Sequence, residues 1–294
     1  VPTASPAIAV RNLRKAYGSL DAVRGVDFDV QRGEIFGLLG PNGAGKTTTV
    51  EILEGYRRRS SGEVSVLGTD PADESAALRG RIGIVLQTSG IWRHIRVGEA
   101  VEHWARLADH PRSPQDVLEL VGLADKRDQL VRTLSGGQVR RLDFALAVVG
   151  DPELIFLDEP TTGFDPQARR DAWDVVRSLR DLGKTVLLTT HYLDEAQELC
   201  DRVAIMQHGR IIAIGPPSEL GQDAARHTVR WRTAAMAADT PPQVEEVDDP
   251  TELLHRLTSA ALTDENARLT SLTVTRPTLE DVYLELTGDE EAGA

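Results

Sequence analysis

The sequence of 294 residues contains a single cysteine. No disulfide can form within the chain, which suits a reducing compartment. That residue, Cys200, follows an apolar helical stretch and has nothing around it to suggest activation, so it reads as buried filler rather than a nucleophile. Long apolar runs are also missing: none approaches the ~18 residues of a membrane span. If the protein serves a membrane, another chain crosses it. The opening VPTASPAIAV lacks a basic segment followed by a long apolar one, so no signal peptide is expected. Positive charge is in deficit, with 33 Lys and Arg against 46 Asp and Glu and a net charge of −13. This excludes a general basic surface for nucleic acid. It does not exclude an anionic ligand, which feels local amide dipoles and one lysine more than a distant average charge. Short-period repeats are absent.

The length is enough for one large domain, one small domain and a real core. At 40% hydrophobic and 27% charged residues, the composition is that of an ordinary globular protein. From Ala7 to Val30 apolar positions alternate in short runs, and Val26, Phe28 and Val30 share one face of a half-buried strand. The runs EIFGLLG, ELIFLDE (Glu153 to Glu159) and TVLLTTH (Thr185 to His191) are continuous, as buried strands of a parallel sheet are. Helical patterning lies between them, for example from Gln167 to Leu182, and such alternation implies an α/β domain. Between about 91 and 149 the spacing is helical instead: Val97, Val101, Trp104, Ala105 and Ala108 form one pattern, Val117, Leu118 and Val121 begin another, and a third follows Gly137. This reads as an inserted helical subdomain, with Trp92 packing in it and His94 on its surface. VAIMQHGRIIAIG (Val203 to Gly215) reads as a hairpin turning near His208-Gly209.

After GPPSEL the composition shifts, and residues 221–294 hold 15 acidic against 6 basic side chains. ADTPPQVEEVDDP reads as a loop. PTELLHRLTSAAL places Leu253, Leu254 and Leu257 at helical spacing, and PTLEDVYLELTG places Leu279, Val282, Tyr283 and Leu286 on one helix face between Pro277 and Gly288. The expected organisation is a domain over 7–220, with its helical subdomain at about 91–149, and a small acidic α/β domain over 221–294.

GPNGAGKT, Gly40 to Thr47, matches G-x-x-x-x-G-K-[ST] and follows a strand, which is the context that confirms a phosphate loop. The loop of Gly40, Pro41, Asn42, Gly43, Ala44 and Gly45 is expected to cradle the β- and γ-phosphates, its glycines letting backbone amides point inward, helped by the dipole of a helix starting near Lys46. Lys46 supplies a point charge to those phosphates, the Thr47 hydroxyl can coordinate Mg²⁺, and Thr48 supports the α-phosphate side. LIFLDEP sets Asp158 and Glu159 at the mouth of a buried strand, where α/β ligands bind. Asp158 is the expected Mg²⁺ holder, and Glu159 the group that orients or deprotonates the attacking water.

LSGGQVRR, Leu134 to Arg141, also looks like an anion-binding turn ahead of a helix. A phosphate loop, then LSGGQ, then LIFLDEP resembles the ATP-binding subunit of an ABC transporter, over roughly residues 7 to 220. The resemblance implies an α/β P-loop NTPase core with an antiparallel β subdomain, the inserted helical subdomain and a small C-terminal α/β appendage. It implies that Tyr17 stacks on adenine, that Gln87 of GIVLQ contacts Mg²⁺ beside the surface facing the membrane partner, that Asp165 of TTGFDP reaches across a dimer, and that His191 lies near the γ-phosphate. Phe164 stands where leucine is more usual. In such a homodimer, two chains pack head to tail, and Ser135, Gly136, Gly137 and Gln138 of one cover ATP held by the other. Two turns then serve one nucleotide, ATP holds the dimer closed, and hydrolysis releases it.

PTLEDVYLELTG and EGYRRRSSGEVSVLG (Glu54 to Gly68) further resemble ATPases of bacterial drug exporters of the daunorubicin-resistance type, in the ABC-2 class. There the permease is a separate polypeptide, so the chain is expected at the inner face of the cell membrane through that partner. A soluble ABC ATPase acting on DNA or ribosomes would want a coiled-coil insertion or tandem phosphate loops, and neither is here. A non-hydrolysing module would have lost Lys46, Glu159 or His191, and all three are present. An importer ATPase shares this core but carries a larger β-barrel appendage. The substrate is not written in this chain, because cargo touches the permease.

Overall fold

The computed structural model describes residues 5–87, 90–220, 227–237, 240–275, 279 and 283. The chain divides into two compact units, Val1–Pro217 and Ser218–Ala294.

The first unit opens with two long strands, β1 (Ile8–Tyr17) and β2 (Leu20–Val30), which join β4 (Ser61–Val66) in an antiparallel sheet of order β2-β1-β4. Val26, Phe28 and Val30 bury one face of β2, as their alternation requires. A six-stranded sheet has the order β5-β6-β7-β3-β8-β9 and is built from β3 (Ile35–Leu39), β5 (Ile82–Val85), β6 (Leu154–Asp158), β7 (Thr185–Thr190), β8 (Arg202–Gln207) and β9 (Arg210–Gly215). Neighbours from β5 through β8 run parallel, and β9 returns antiparallel to β8. The hairpin between β8 and β9 turns on His208 and Gly209, at φ of 46° and 77°, the left-handed pair a tight two-residue turn needs. Apolar faces of the two sheets meet in one core that includes Leu13, Phe28, Phe36, Leu53 and Phe156.

Helix α1 (Lys46–Leu53) follows β3, and the short α2 (Ala76–Arg79) precedes β5. Between β5 and β6 come α3 (Val97–Ala105), α4 (Pro114–Leu120) and α5 (Gly136–Val148). They pack through Val97, Val101, Val117, Leu118, Leu142 and Phe144, all buried. Trp92 does not join them: it is 79% exposed, because its loop lies on the outside of this helical layer. Helix α6 (Pro166–Asp181) starts with proline at its first position and with Asp165 accepting from the Gln167 and Ala168 amides, and α7 (Leu193–Leu199) follows β7. Cys200 caps α7 and is buried, which pushes its thiol well above the ordinary range.

The second unit contains an antiparallel sheet of order β11-β10-β12, formed by β10 (His227–Thr233), β11 (Gln243–Val247) and β12 (Leu269–Thr275), with α8 (Pro250–Thr263). Val229, Trp231 and Leu253 form its core, with Leu254, Leu257 and Leu269 packed against it. The segment expected as a loop contributes β11. Its charge disguises it: β11 is an edge strand, and Glu245 and Glu246 are the kind of charged residues that guard an exposed edge. Of the expected last helix, Leu279 and Tyr283 are helical and the remainder lies outside the described residues.

Candidate functional site

The parallel register decides which side chains meet. Asp158 at the end of β6 pairs with Thr189 of β7, and Leu39 at the end of β3 pairs with Thr190. The loops after β3, β6 and β7 therefore leave the sheet side by side, at its carboxyl edge.

The loop from Gly40 to Gly45 is shaped by close backbone contacts. A Cβ at Gly40 would lie 2.3 Å from the Met206 carbonyl oxygen, and one at Gly45 would lie 2.6 Å from that of Ala22. Gly45 also sits at φ 102°, a region side chains rarely enter. The Gly209 amide donates to the Ala44 carbonyl at 3.0 Å, so the β8–β9 turn braces the loop. Lys46 is 4% exposed and folds back over the loop: its Nζ donates to the carbonyls of Gly40 at 2.7 Å and Pro41 at 3.2 Å. Burial lowers its pKa, opposed by Glu159 and Asp158. Pro41, Asn42, Gly43 and Thr47 face outward, and Thr48 is half-buried.

Glu159 is the hub of the cluster. Its side chain is only 11% exposed, with Oε1 lying 3.8 Å from Lys46 Nζ and 3.4 Å from His191 Nδ1. Its Oε2 accepts from Gln87 Nε2 at 3.2 Å and from Thr162 Oγ1 at 3.1 Å. Its backbone is strained, at φ 44°, a cost on the order of 1–2 kcal/mol for a residue with a Cβ. The strain is held by Thr189, whose Oγ1 accepts from the Glu159 amide at 3.0 Å and donates to Asp158 Oδ1 at 2.6 Å. Burial raises the Asp158 pKa, and the charges of Glu159 and Glu51 add to the rise. Lys46, Gln87, Asp158, Glu159 and His191 thus come together in one place. Gln87, expected at a metal, here donates its side-chain amide to Glu159.

Tyr17, at the end of β1, is exposed, and its ring carries Lys15 Nζ at 4.9 Å and Arg57 at 5.4 Å from its centroid. Ser135, Gly137, Gln138 and Asp165 belong to a different place. With Phe164 and Ala168 they line a cleft of about 310 Å³ between α5 and α6, and none of the five clustered residues lines it. Ser135 Oγ accepts from the Gln138 amide at 3.3 Å, and Gln138 Oε1 accepts from the Ser135 amide at 3.0 Å. This reciprocal cap accounts for both polar residues within the chain. It does not account for Gly136 and Gly137.

Arg140, which the sequence reading passed over, ties α5 to the first cluster. It is buried and donates to the Pro160 carbonyl at 3.0 Å, to the Asp158 carbonyl at 3.3 Å and to that of Leu86. Its spacing was the available signal: it lies four and eight residues before the buried Phe144 and Val148, on a face that should be apolar. Glu195 was passed over too. It is fully buried in α7, accepting from Thr161 Oγ1 at 2.7 Å and Trp173 Nε1 at 3.1 Å, so it joins the loop after Glu159 to the helix after His191.

Among the described residues, no group of three or more His, Cys, Asp or Glu is arranged to hold a metal. Thr47, Gln87 and Asp158 are oxygen donors of the kind Mg²⁺ takes together with phosphate oxygens.

Residues 23–162 match the family model described as ABC transporter. The chain is 38% identical to the daunorubicin/doxorubicin resistance ATP-binding protein of Streptomyces peucetius, covering 96% of this chain and 92% of that one. It is 34% identical to the linearmycin resistance ATP-binding protein of Bacillus subtilis, over 96% and 98% of the two chains. Against a Nod factor export ATP-binding protein of Ralstonia nicotianae it is 38% identical, over 97% and 95%. Among solved structures, an ABC transporter component from Clostridium perfringens superposes with a TM-score of 0.67 at 27% identity, covering 75% of this chain and 92% of that one. The phosphate loop, the acidic strand end and these likenesses over nearly the full length converge: the chain belongs to the ABC transporter ATP-binding proteins, in the branch of the exporter ATPases, and couples ATP hydrolysis to transport.

Proposed function

We propose that this chain works as a head-to-tail homodimer of ATPase subunits beneath a separate ABC-2-type permease, driving export of a drug or other amphipathic compound. The observation that carries the reading is the Glu159 carboxylate, gathered by Gln87, Thr162 and His191 within 3.8 Å of Lys46. It stands where the sheet delivers a phosphate loop, and it has the surroundings of a general base for water. When nucleotide arrives, Lys46 exchanges two loop carbonyls for phosphate oxygens. Glu159 then orients the attacking water and takes its proton, with His191 beside it. Mg²⁺ fits the donor set: Thr47, Gln87 and Asp158 offer oxygens, and the crowded carboxylates Asp158 and Glu159 hold more negative charge than Lys46 offsets. Bound there, Mg²⁺ would neutralise charge developing on the transferred phosphate.

The separation of the two site halves supports the dimer. The turn at Ser135 to Gln138 and Asp165 face a cleft of their own, and a partner chain's nucleotide would complete it. A second groove, of about 570 Å³, adjoins Gln87 through Leu86, Gly90 and Ile91 and is walled by Ile84, Trp104 and Leu107. Leu86 is 53% and Leu107 72% exposed there, which suits a docked helix of the permease. No helix of the described residues is long and apolar enough to cross a membrane, so this role falls to a partner at whose inner face the chain sits.

The test is ATP turnover and ATP binding by wild type and Glu159→Gln. The variant is expected to lose about 10²–10⁴-fold in turnover while keeping ATP affinity and accumulating as a dimer. Unchanged turnover would remove Glu159 from its role.

A further inference from the structure

The groove beside Gln87 is apolar in its walls but not in its floor. Glu54, which caps α1 at its far end from the phosphate loop, lines it. Glu54 is only 8% exposed. Among the described residues none donates a hydrogen bond to its carboxylate and none forms an ion pair with it. The other charges lining the groove do not serve it. Glu74 pairs with Arg58 at 3.3 Å and Asp143 with Arg140 at 3.8 Å, and Arg79, the one cation among the lining residues, makes no pair with Glu54. A largely buried carboxyl with no cation beside it is costly, and only the residual solvent contact of its oxygens, at the groove, offsets that cost. Burial, with the charges of Asp158 and Glu51 added, pushes its pKa up to about 8, so at neutral pH the free chain holds it mostly protonated and a docked cation would draw the proton off.

We propose that Glu54 selects the groove's occupant: a helix of the membrane partner that sets one lysine or arginine among its apolar contacts and pairs it with this carboxylate. The inference rests on the reading that the groove docks the permease. Charge complementarity commits the occupant. Of the carboxylates lining the groove, Glu74 and Asp143 already have arginine partners and Glu54 has none, so an approaching cation gains a partner there and relieves an existing penalty. An apolar helix without such a residue would seal an unpaired carboxylate beneath it. An acidic helix would be repelled.

The experiment uses the full chain and its permease. Purified chain is titrated onto permease-containing membranes stripped of the native subunit. Glu54→Gln keeps the shape and removes the ability to ionise against a docked cation, so it is expected to melt no lower than wild type while losing about 30-fold or more in membrane affinity. Glu54→Lys is expected to lose binding altogether and to regain it when one cytoplasmic lysine or arginine of the permease is changed to glutamate. Weakening in Glu54→Gln with no such reciprocal position overturns the ion pair. If both Glu54 variants rebind like wild type while Leu86→Asp does not, the groove docks the permease but Glu54 does not select. If Leu86→Asp also rebinds normally, the docking reading fails and takes the selection with it.

Discussion

The phosphate loop and the turn at Leu134 to Gln138 are both glycine-rich entries to helices, and they are built in opposite ways. In the first, the chain itself demands glycine: Gly45 sits at φ 102°, and a Cβ at Gly40 or Gly45 would strike backbone. In the second, Gly136 and Gly137 are ordinary helical residues. A Cβ on Gly136 would meet nothing within 4 Å, and one on Gly137 would meet only the Ala168 Cβ at 3.7 Å. Glycine there costs the helix about 0.5–1 kcal/mol per position relative to alanine. Among the described residues nothing repays that cost. The first turn is finished by its own fold, braced by the β8–β9 hairpin and occupied by Lys46, whereas the second presents a bare surface, which is what the proposed dimer would use.

The difference can be broken at its most exposed point. Ser135→Arg fills the cleft between α5 and α6 without touching Lys46 or Glu159. Turnover is expected to fall about 10²–10³-fold, with ATP affinity of the isolated chain unchanged in equilibrium binding. Equal loss of both would show that the two turns serve one chain. The link between them is tested next. Arg140→Ala leaves the carbonyls of Leu86, Asp158 and Pro160 without their donor and is expected to cost about 2–3 kcal/mol in denaturant unfolding. An unchanged midpoint would mean that α5 is not held by this clamp. The smallest effect sharpens the contrast most. Gly136→Ala should stabilise the isolated chain by a few tenths to about 1 kcal/mol while lowering turnover. The corresponding change at Gly45 should damage both, because its backbone cannot adapt. A Gly136→Ala chain that gained stability and kept full turnover would remove the external role of the second turn.

Much of the site was legible because its signals are short in sequence. The strand EIFGLL delivers GPNGAGKT, and LIFL delivers Asp158 and Glu159, each within one uninterrupted stretch. What escaped depends on residues far apart. Arg140 reads as one more surface cation until α5 is laid across the ends of β5 and β6. Glu54 reads as a helix-end acid until Leu86 and Trp104 close around the same groove. β11 was hidden for a different reason: its glutamates have loop-like composition, and only pairing with β10 makes Gln243–Val247 a strand. Trp92 erred the other way, since an aromatic near a helical subdomain suggests packing, while its position on an outer loop leaves it in solvent.

By itself, then, the order of residues determined the phosphate loop, the acidic strand end and the family, because glycine conformations, helix caps and apolar strand runs are local physics. The tertiary structure alone decided that Glu159 rests among Gln87, Thr162 and His191, and that Glu54 lies largely buried with no cation beside it among the described residues. Those facts come from the register of parallel strands and the burial of polar groups by distant segments, and neither is a property of any short stretch of chain.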